Sequence, residues 1–435
     1  MVAGVSPANT NPSQPARLPL QKPEAGDCSR HGCHYSGIVI AGKVIYLDNN
    51  ATTQLDPAVV EEMLPFLTEF YGNPSSGYQF AGQVRKAIDR ARERVALLLG
   101  CQASEIVFTS CGTESNNAAI NSALQIDPSR KHIVTTAVEH SAVLRHCQAL
   151  TKRGCAVTFL GVDRDGHVDL GELEQAIRPD TAIVSVMWAN NETGVLFPVE
   201  KIAGHCREKG VFFHSDAVQA AGKIPIRLGE STINFLSLSA HKFHGPKGVG
   251  ALYVKRNSRF QPSIIGGGQE NGRRAGTENV ASIVGLGKAS ERAAESIEEE
   301  QNRVRTMRDR FENGILEAVS GASINGDRMA RLPNTSSFSF RGIDSNAALL
   351  LLDRHGVCCS AGSACRTGSA EASHVLRAMY LNEDRARGSL RFSFGRFNSD
   401  PDIEHALGLV PQVIDKLRRL PTAMPRSAMA QPLGL

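Results

Sequence analysis

The sequence predicts an α/β protein, with a large unit built on a mostly parallel sheet covered by helices and a smaller α+β unit after it. Three observations predict this. Short apolar segments rich in β-branched and aromatic residues alternate with helical patterns from residue 105 to residue 240. The alternation gives way to one long polar-faced helical stretch from 279 to about 319, after which strands and helices mix differently. At 435 residues the chain is also longer than one compact core favours.

Each element follows from local chemistry. Asp56 and Pro57 open a helix as N-cap and first-turn proline, running toward Phe70 before Gly72-Asn73-Pro74 ends it. A second amphipathic helix covers 83–99 and closes at Gly100. Six strand candidates follow: EIVFTS (105–110), HIVTTAV (132–138), AVTFLGV (156–162), AIVSVMWA (182–189), VFFHSDA (211–217) and INFLSLSA (233–240). Helical patterns at 141–153 and 199–209 separate some of them, which is the signature of parallel strands with helical crossovers. Beyond the long helix come NTSSFSF (334–340), a helix at 347–354, SLRFSFG (389–395) and a last helix at 401–419.

Composition bounds the function. Hydrophobic residues at 41% and charged residues at 21% exclude a wholly disordered chain. The net charge of only +4 gives no field that would hold nucleic acid. No apolar run reaches the ~18 residues that a membrane span requires. Ten cysteines without a ladder of even spacing favour a reducing compartment, and the N-terminus lacks a basic start followed by an apolar stretch, so the expected location is the cytoplasm. Residues 1–42 read as a disordered extension and 421–435 as a flexible tail. Within the extension Cys28, His31, Cys33 and His34 crowd together, but C-x-x-H-x-C-H is not a standard zinc spacing, and the reading is a flexible tail.

In open α/β sheets ligands bind outside the carboxyl ends of the strands, so the polar residues just after each apolar segment take priority. Gly112 and Thr113 open a helix whose free N–H groups favour a phosphate, although a Gly-Thr pair also serves as an ordinary cap. Ser239, His241 and Lys242 add hydroxyl, imidazole and ammonium donors after another strand. A lysine in a Gly-Pro loop is commonly just exposed. Asp216 changes that reading, because a strand-end aspartate facing a pyridine nitrogen keeps pyridoxal phosphate protonated as an electron sink, while His140 places a flat ring nearby.

The motifs YLDNNATT (46–53), YGNPSS (71–76), FTSCGTESNN (108–117), ANNETG (189–194), HSDAVQA (214–220), SAHKFHGPKG (239–248), RRAGTEN (273–279) and SAGSAC (360–365) together resemble those of group I cysteine desulfurases of the NifS-like, nitrogen-fixation branch. The resemblance covers about residues 44–420. It implies a fold type I enzyme that uses pyridoxal 5'-phosphate, works as a homodimer, converts L-cysteine to L-alanine and hands the sulfur to an iron–sulfur scaffold protein. It also implies a large cofactor-binding domain over 58–295 and a small domain from 43–57 and 296–420 that carries the cysteine loop.

Residue by residue, Lys242 resembles the Schiff-base lysine, Asp216 the partner of the ring nitrogen, and Gln219 with Asn191 the groups near the cofactor hydroxyl. Gly112, Thr113, Ser239 and His241 resemble the phosphate cradle, with Thr277 reaching into the partner subunit's site. His140 resembles the stacked ring and proton shuttle, and Cys365 the nucleophile that carries the persulfide and serves as a transient iron–sulfur ligand. Arg391 matches the arginine for the substrate carboxylate, with Asn73 close by, and a guanidinium fork suits a carboxylate. Arg366 after the nucleophile, where the family has Thr or Ser, and the N-terminal extension depart from the family pattern. Arg366 is read as lowering the thiol pKa, as engaging an acidic partner, or as a solvated loop residue. Cys358 and Cys359 are read as packing thiols. A selenocysteine lyase, an aminotransferase and a non-catalytic scaffold-binding protein are the competing readings.

Overall fold

Seven strands of a central sheet and a second cluster of three are laid out by a computed structural model that describes residues 43–361, 373–380 and 382–420. The extension 1–42 with its Cys28–His34 cluster, Cys365, Arg366 and the tail 421–435 lie outside the described residues.

The chain starts with β1 (Ile45–Tyr46) and then builds the main sheet from β2 (Ile106–Thr109), β3 (His132–Thr136), β4 (Ala156–Leu160), β5 (Thr181–Ser185), β6 (Phe212–Asp216), β7 (Phe235–Ser239) and β8 (Gly250–Val254). The strand order is β2-β8-β7-β6-β5-β3-β4. Strands β3 to β7 pair in parallel, as the helical crossovers require, whereas β8 runs antiparallel to both β7 and β2. All residues of β2, β3, β5, β7 and β8 are buried, the expected result of covering both faces with helices.

Most expected elements form with shifted ends. Asp56 caps its helix by accepting the Ala58 N–H at 2.9 Å, but Pro65 has no N–H to continue the ladder, so the stretch breaks into Pro57–Met63 and Pro65–Thr68. The second helix begins earlier than expected and spans Gln79–Leu99, closing at Gly100 with φ +61°. The long helix is Val280–Ala318, with the Asn279 side chain accepting from Ser282 N.

Beyond the main sheet, β9 (Ala322–Ile324), β10 (Thr335–Phe340), β11 (Val357–Cys358) and β12 (Ser389–Ser393) follow. Strands β12-β10-β9 form an antiparallel sheet, and β11 returns to pair in parallel with β1. The apolar side chains gather accordingly. One core lies around the main sheet and includes Ile283, Leu286, Ala289 and Ala293 of the long helix. Another joins Ile45 and Leu47 to Phe338, Phe392, Ile403 and Ile414, and takes Val304, Met307, Phe311 and Ile315 from the same helix. Among the described residues no helix is long and apolar enough to cross a membrane, and no cluster of three metal-ligating side chains occurs.

Candidate active site

The carboxyl ends of β6 and β7, together with the turns after β2, β3 and β5, open on one cavity of about 200 Å³. Gly112, Thr113, His140, Asn191, Asp216, Gln219, Ser239, His241, Lys242 and Arg391 all line it. Among the described residues, two expected site residues do not. Thr277 borders a separate hollow with Ser110 and Arg274, and Asn73 is exposed, its Oδ1 accepting from Ser75 N at 2.9 Å.

Asp216 ends β6 and is 5% exposed. Its Oδ1 accepts from Val218 N at 3.0 Å and its Oδ2 from Asn116 Nδ2 at 2.6 Å, so both oxygens are fixed in place. Lys242 stands in the 3-10 turn Ala240–Lys242 directly after β7. Its Nζ donates to the carbonyls of Asn50 at 2.6 Å and Ala51 at 2.8 Å, which hold the amine at the cavity wall.

The helix Gly112–Ile126 points its N-terminus at the same space. A Cβ on Gly112 would lie 2.6 Å from Val218 Cγ2, so the close approach of this helix start demands glycine. His140 caps the next helix, Ser141–Thr151, its Nδ1 accepting from Ala142 N at 3.2 Å. Burial lowers its pKa, with Lys242 and His374 acting in the same direction against Asp216. A neutral ring whose Nδ1 accepts must carry its proton on Nε2. Burial and the Lys242 charge likewise push His241 down to about 4, so this ring is a neutral hydrogen-bonding group.

Arg391 is on β12 and 2% exposed. Its Nη2 donates to Asp48 Oδ1 at 2.6 Å and its Nη1 to the Asn191 carbonyl at 2.8 Å, while the buried Nε has no partner among the described residues. The sequence reading missed Asp48, Asn50 and Asn116. Asn116 had a signal: four residues after Gly112, it lies one helical turn in on the same face.

These groups fit pyridoxal phosphate. Asp216 is a buried acceptor suited to a protonated ring nitrogen, Lys242 an amine suited to an aldehyde, and the Gly112 helix start with Ser239 a donor set suited to a phosphate. The family comparison agrees. Residues 45–406 match the family model described as Aminotransferase class-V, so the chain belongs to that pyridoxal-phosphate-dependent family.

Within the family its relatives include cysteine desulfurases. It is 52% identical over 377 residues to "Cysteine desulfurase 2" of Trichormus variabilis, covering 87% of this chain and 94% of that one. It is 51% identical over 377 residues to "Cysteine desulfurase NifS" of Azotobacter vinelandii, covering 86% and 94%. Among solved structures a "NifS-like protein" superposes with a TM-score of 0.81 at 38% identity, over 86% of this chain and all of that one. SspA in complex with cysteine superposes with a TM-score of 0.72 at 35% identity, over 81% and 99%.

Proposed function

We propose that the protein is a cysteine desulfurase that converts L-cysteine to L-alanine and passes the sulfur, through a persulfide on Cys365, to iron–sulfur cluster assembly. The observation that carries this reading is that Lys242, Asp216 and Arg391 line one cavity in a chain about half identical to cysteine desulfurases.

Bound pyridoxal phosphate supplies an electron-accepting ring conjugated to the substrate's amino group. Asp216 would hold the ring nitrogen, Gly112, Thr113, Ser239 and His241 the phosphate, and Gln219 with Asn191 the ring hydroxyl. Arg391 binds the substrate carboxylate through the face that Asp48 and Asn191 leave open. Lys242 supplies the amine that takes the Cα proton, and His140, with its proton on Nε2, moves a proton at the cavity wall. The Cys365 thiolate attacks the substrate sulfur: an S–S bond forms, the C–S bond breaks, and its electron pair stays on the carbon that becomes the alanine methyl group.

The reading extends to a homodimer in which Thr277 serves the partner's site, supported by its position apart from its own chain's cavity. It also extends to a large domain over 58–295 with a small domain from 43–57 and 296–420, supported by two apolar cores that share the long helix, with Leu332, Val375, Leu376 and Met379 of the small domain packing into the larger core. A reducing compartment, the cytoplasm, is supported by seven described cysteines that are all free thiols.

The test incubates the cofactor-loaded protein with L-cysteine and a thiol reductant. Equal amounts of alanine and sulfide are expected, with none from Lys242→Ala, which also loses the visible chromophore, and no alanine from Cys365→Ser, which keeps it. Absence of alanine from the loaded parent protein overturns the proposal. Turnover confined to selenocysteine makes the protein a selenocysteine lyase instead.

A further inference from the structure

Behind the cavity wall sits an amine that the reaction above does not use. Lys223 follows Gly222, whose φ of +74° and close approach to Phe243, with a Cβ placed 2.6 Å from Phe243 Cβ, make a turn that only glycine accommodates. That turn brings Lys223 back over Gln219, four residues earlier. Lys223 lines a small hollow of about 40 Å³ on the far side of the wall, and Lys242 lines both spaces.

Lys223 Nζ donates to Gln219 Oε1 at 2.6 Å and to Asn50 Oδ1 at 3.1 Å. Gln219 Nε2 donates to the Asn50 carbonyl at 2.9 Å, the same oxygen that accepts from Lys242 Nζ. Asn50 is fixed in turn: its Oδ1 also accepts from Asn334 Nδ2 at 3.0 Å, and its Nδ2 donates to Thr335 Oγ1 at 2.8 Å. Charged or neutral, a lysine amine has protons enough for both acceptors. Lys242 and Arg391 lie toward the cavity, and His244, Glu300 and Arg396 line the hollow on the other side.

An isolated glutamine amide can present either end to a ligand. Here a carbonyl, which only accepts, takes the NH₂ end, and Lys223 takes the oxygen. With its oxygen turned onto Lys223 and one N–H on the Asn50 carbonyl, the donor that Gln219 has left to offer the cavity is its second N–H. We infer that Lys223 is a positioning residue that locks the Gln219 amide so that the ring hydroxyl of pyridoxal phosphate meets a donor. This rests on the cofactor reading given above. In the loaded protein an N–H on that oxygen would draw off its negative charge and so would disfavour a proton on the Lys242 nitrogen. Burial, and then the charges of Lys242 and Arg391, hold the Lys223 amine itself well below the ordinary lysine value.

The test titrates the visible band of the cofactor-loaded protein with pH, since the band reports protonation of the Lys242 nitrogen without any turnover. In Lys223→Met the midpoint should rise by about one pH unit, the effect of one lost hydrogen bond. Gln219→Ala should give a rise at least as large, and adding Lys223→Met to it should change nothing more. Lys223→Gln, whose amide falls short of holding both acceptors, should shift the midpoint in the same direction and serves if Lys223→Met does not fold. An unchanged midpoint in a loaded Lys223 variant overturns the inference. So does a double variant in which the two shifts add, because Lys223 would then act through its charge and not through Gln219. Failure of the parent protein to form a visible band counts against the cofactor reading instead.

Discussion

Asp216 shows how a single side chain is prepared for its task. Its two oxygens are each held by one donor, Val218 N and Asn116 Nδ2, so the carboxylate cannot rotate away from the cavity. Asp216→Asn keeps the shape but removes the charge, and an amide can turn its NH₂ toward the ring nitrogen. Turnover with cysteine should fall about a hundredfold or more, the scale of losing a preorganised electrostatic partner. Steady-state rates normalised to bound cofactor check this, and an undiminished rate in a loaded variant would remove Asp216 from its role. Much of this residue set was legible in the sequence, because strand ends are readable and each of Asp216, Lys242 and His140 directly follows or ends an apolar run. Asn50, Asp48 and Lys223 were not. They act across 141 to 343 residues of sequence separation or from behind the wall, and only folding brings the 46–53 segment over the sheet.

At the scale of elements, the parallel strands were legible from alternation and the eighth strand was not. Gly250–Val254 returns antiparallel to β7 after the short HGPKG turn, so no intervening helix marks it. The helix Gln79–Leu99 and the long helix are held together by backbone contact: a Cβ on Gly287 would stand 2.5 Å from Ala91 Cα. In an exposed helix interior, Gly→Ala stabilises by roughly 1 kcal/mol. At this crossing the backbone of the neighbouring helix occupies the space, so overpacking wins. Gly287→Ala should destabilise by about 1–3 kcal/mol, read as a lower denaturant midpoint at unchanged slope. A stabilised variant would show that the two helices separate at little cost.

For the whole molecule, buried ionisable groups set the response to pH. Burial pushes His214 down to about 3, bonded between Ser185 and Ser237, and pushes Glu139 up to about 8. His132, His140, His146, His241 and His244 are lowered too, each mainly by burial. A histidine held neutral in the fold stabilises fully above its unfolded pKa of about 6.5, and that share is lost as pH falls below it. Glu139, protonated in the fold, has the opposite sign and stabilises fully below about 4.5, losing its share as pH rises toward 8. Between these limits His214 and Glu139 offset each other, and the remaining histidines decide. Stability should therefore fall on acidification through pH 6. His214→Asn should flatten that fall by up to about 1.4 kcal/mol per pH unit, as denaturation midpoints at several pH values will show. An equally steep fall in the variant would mean that His214 takes up a proton in the folded protein.

The long helix Val280–Ala318 also works as a ruler. It delivers Ile283 to Ala293 to one core and Val304 to Ile315 to the other, on a single rigid rod. One residue inserted between these two sets would turn everything downstream by about 100° and advance it by about 1.5 Å, taking the Phe311 face out of its core. Seven residues would restore the face but push it about 10 Å too far. The spacing inside this helix is a number the chain must keep.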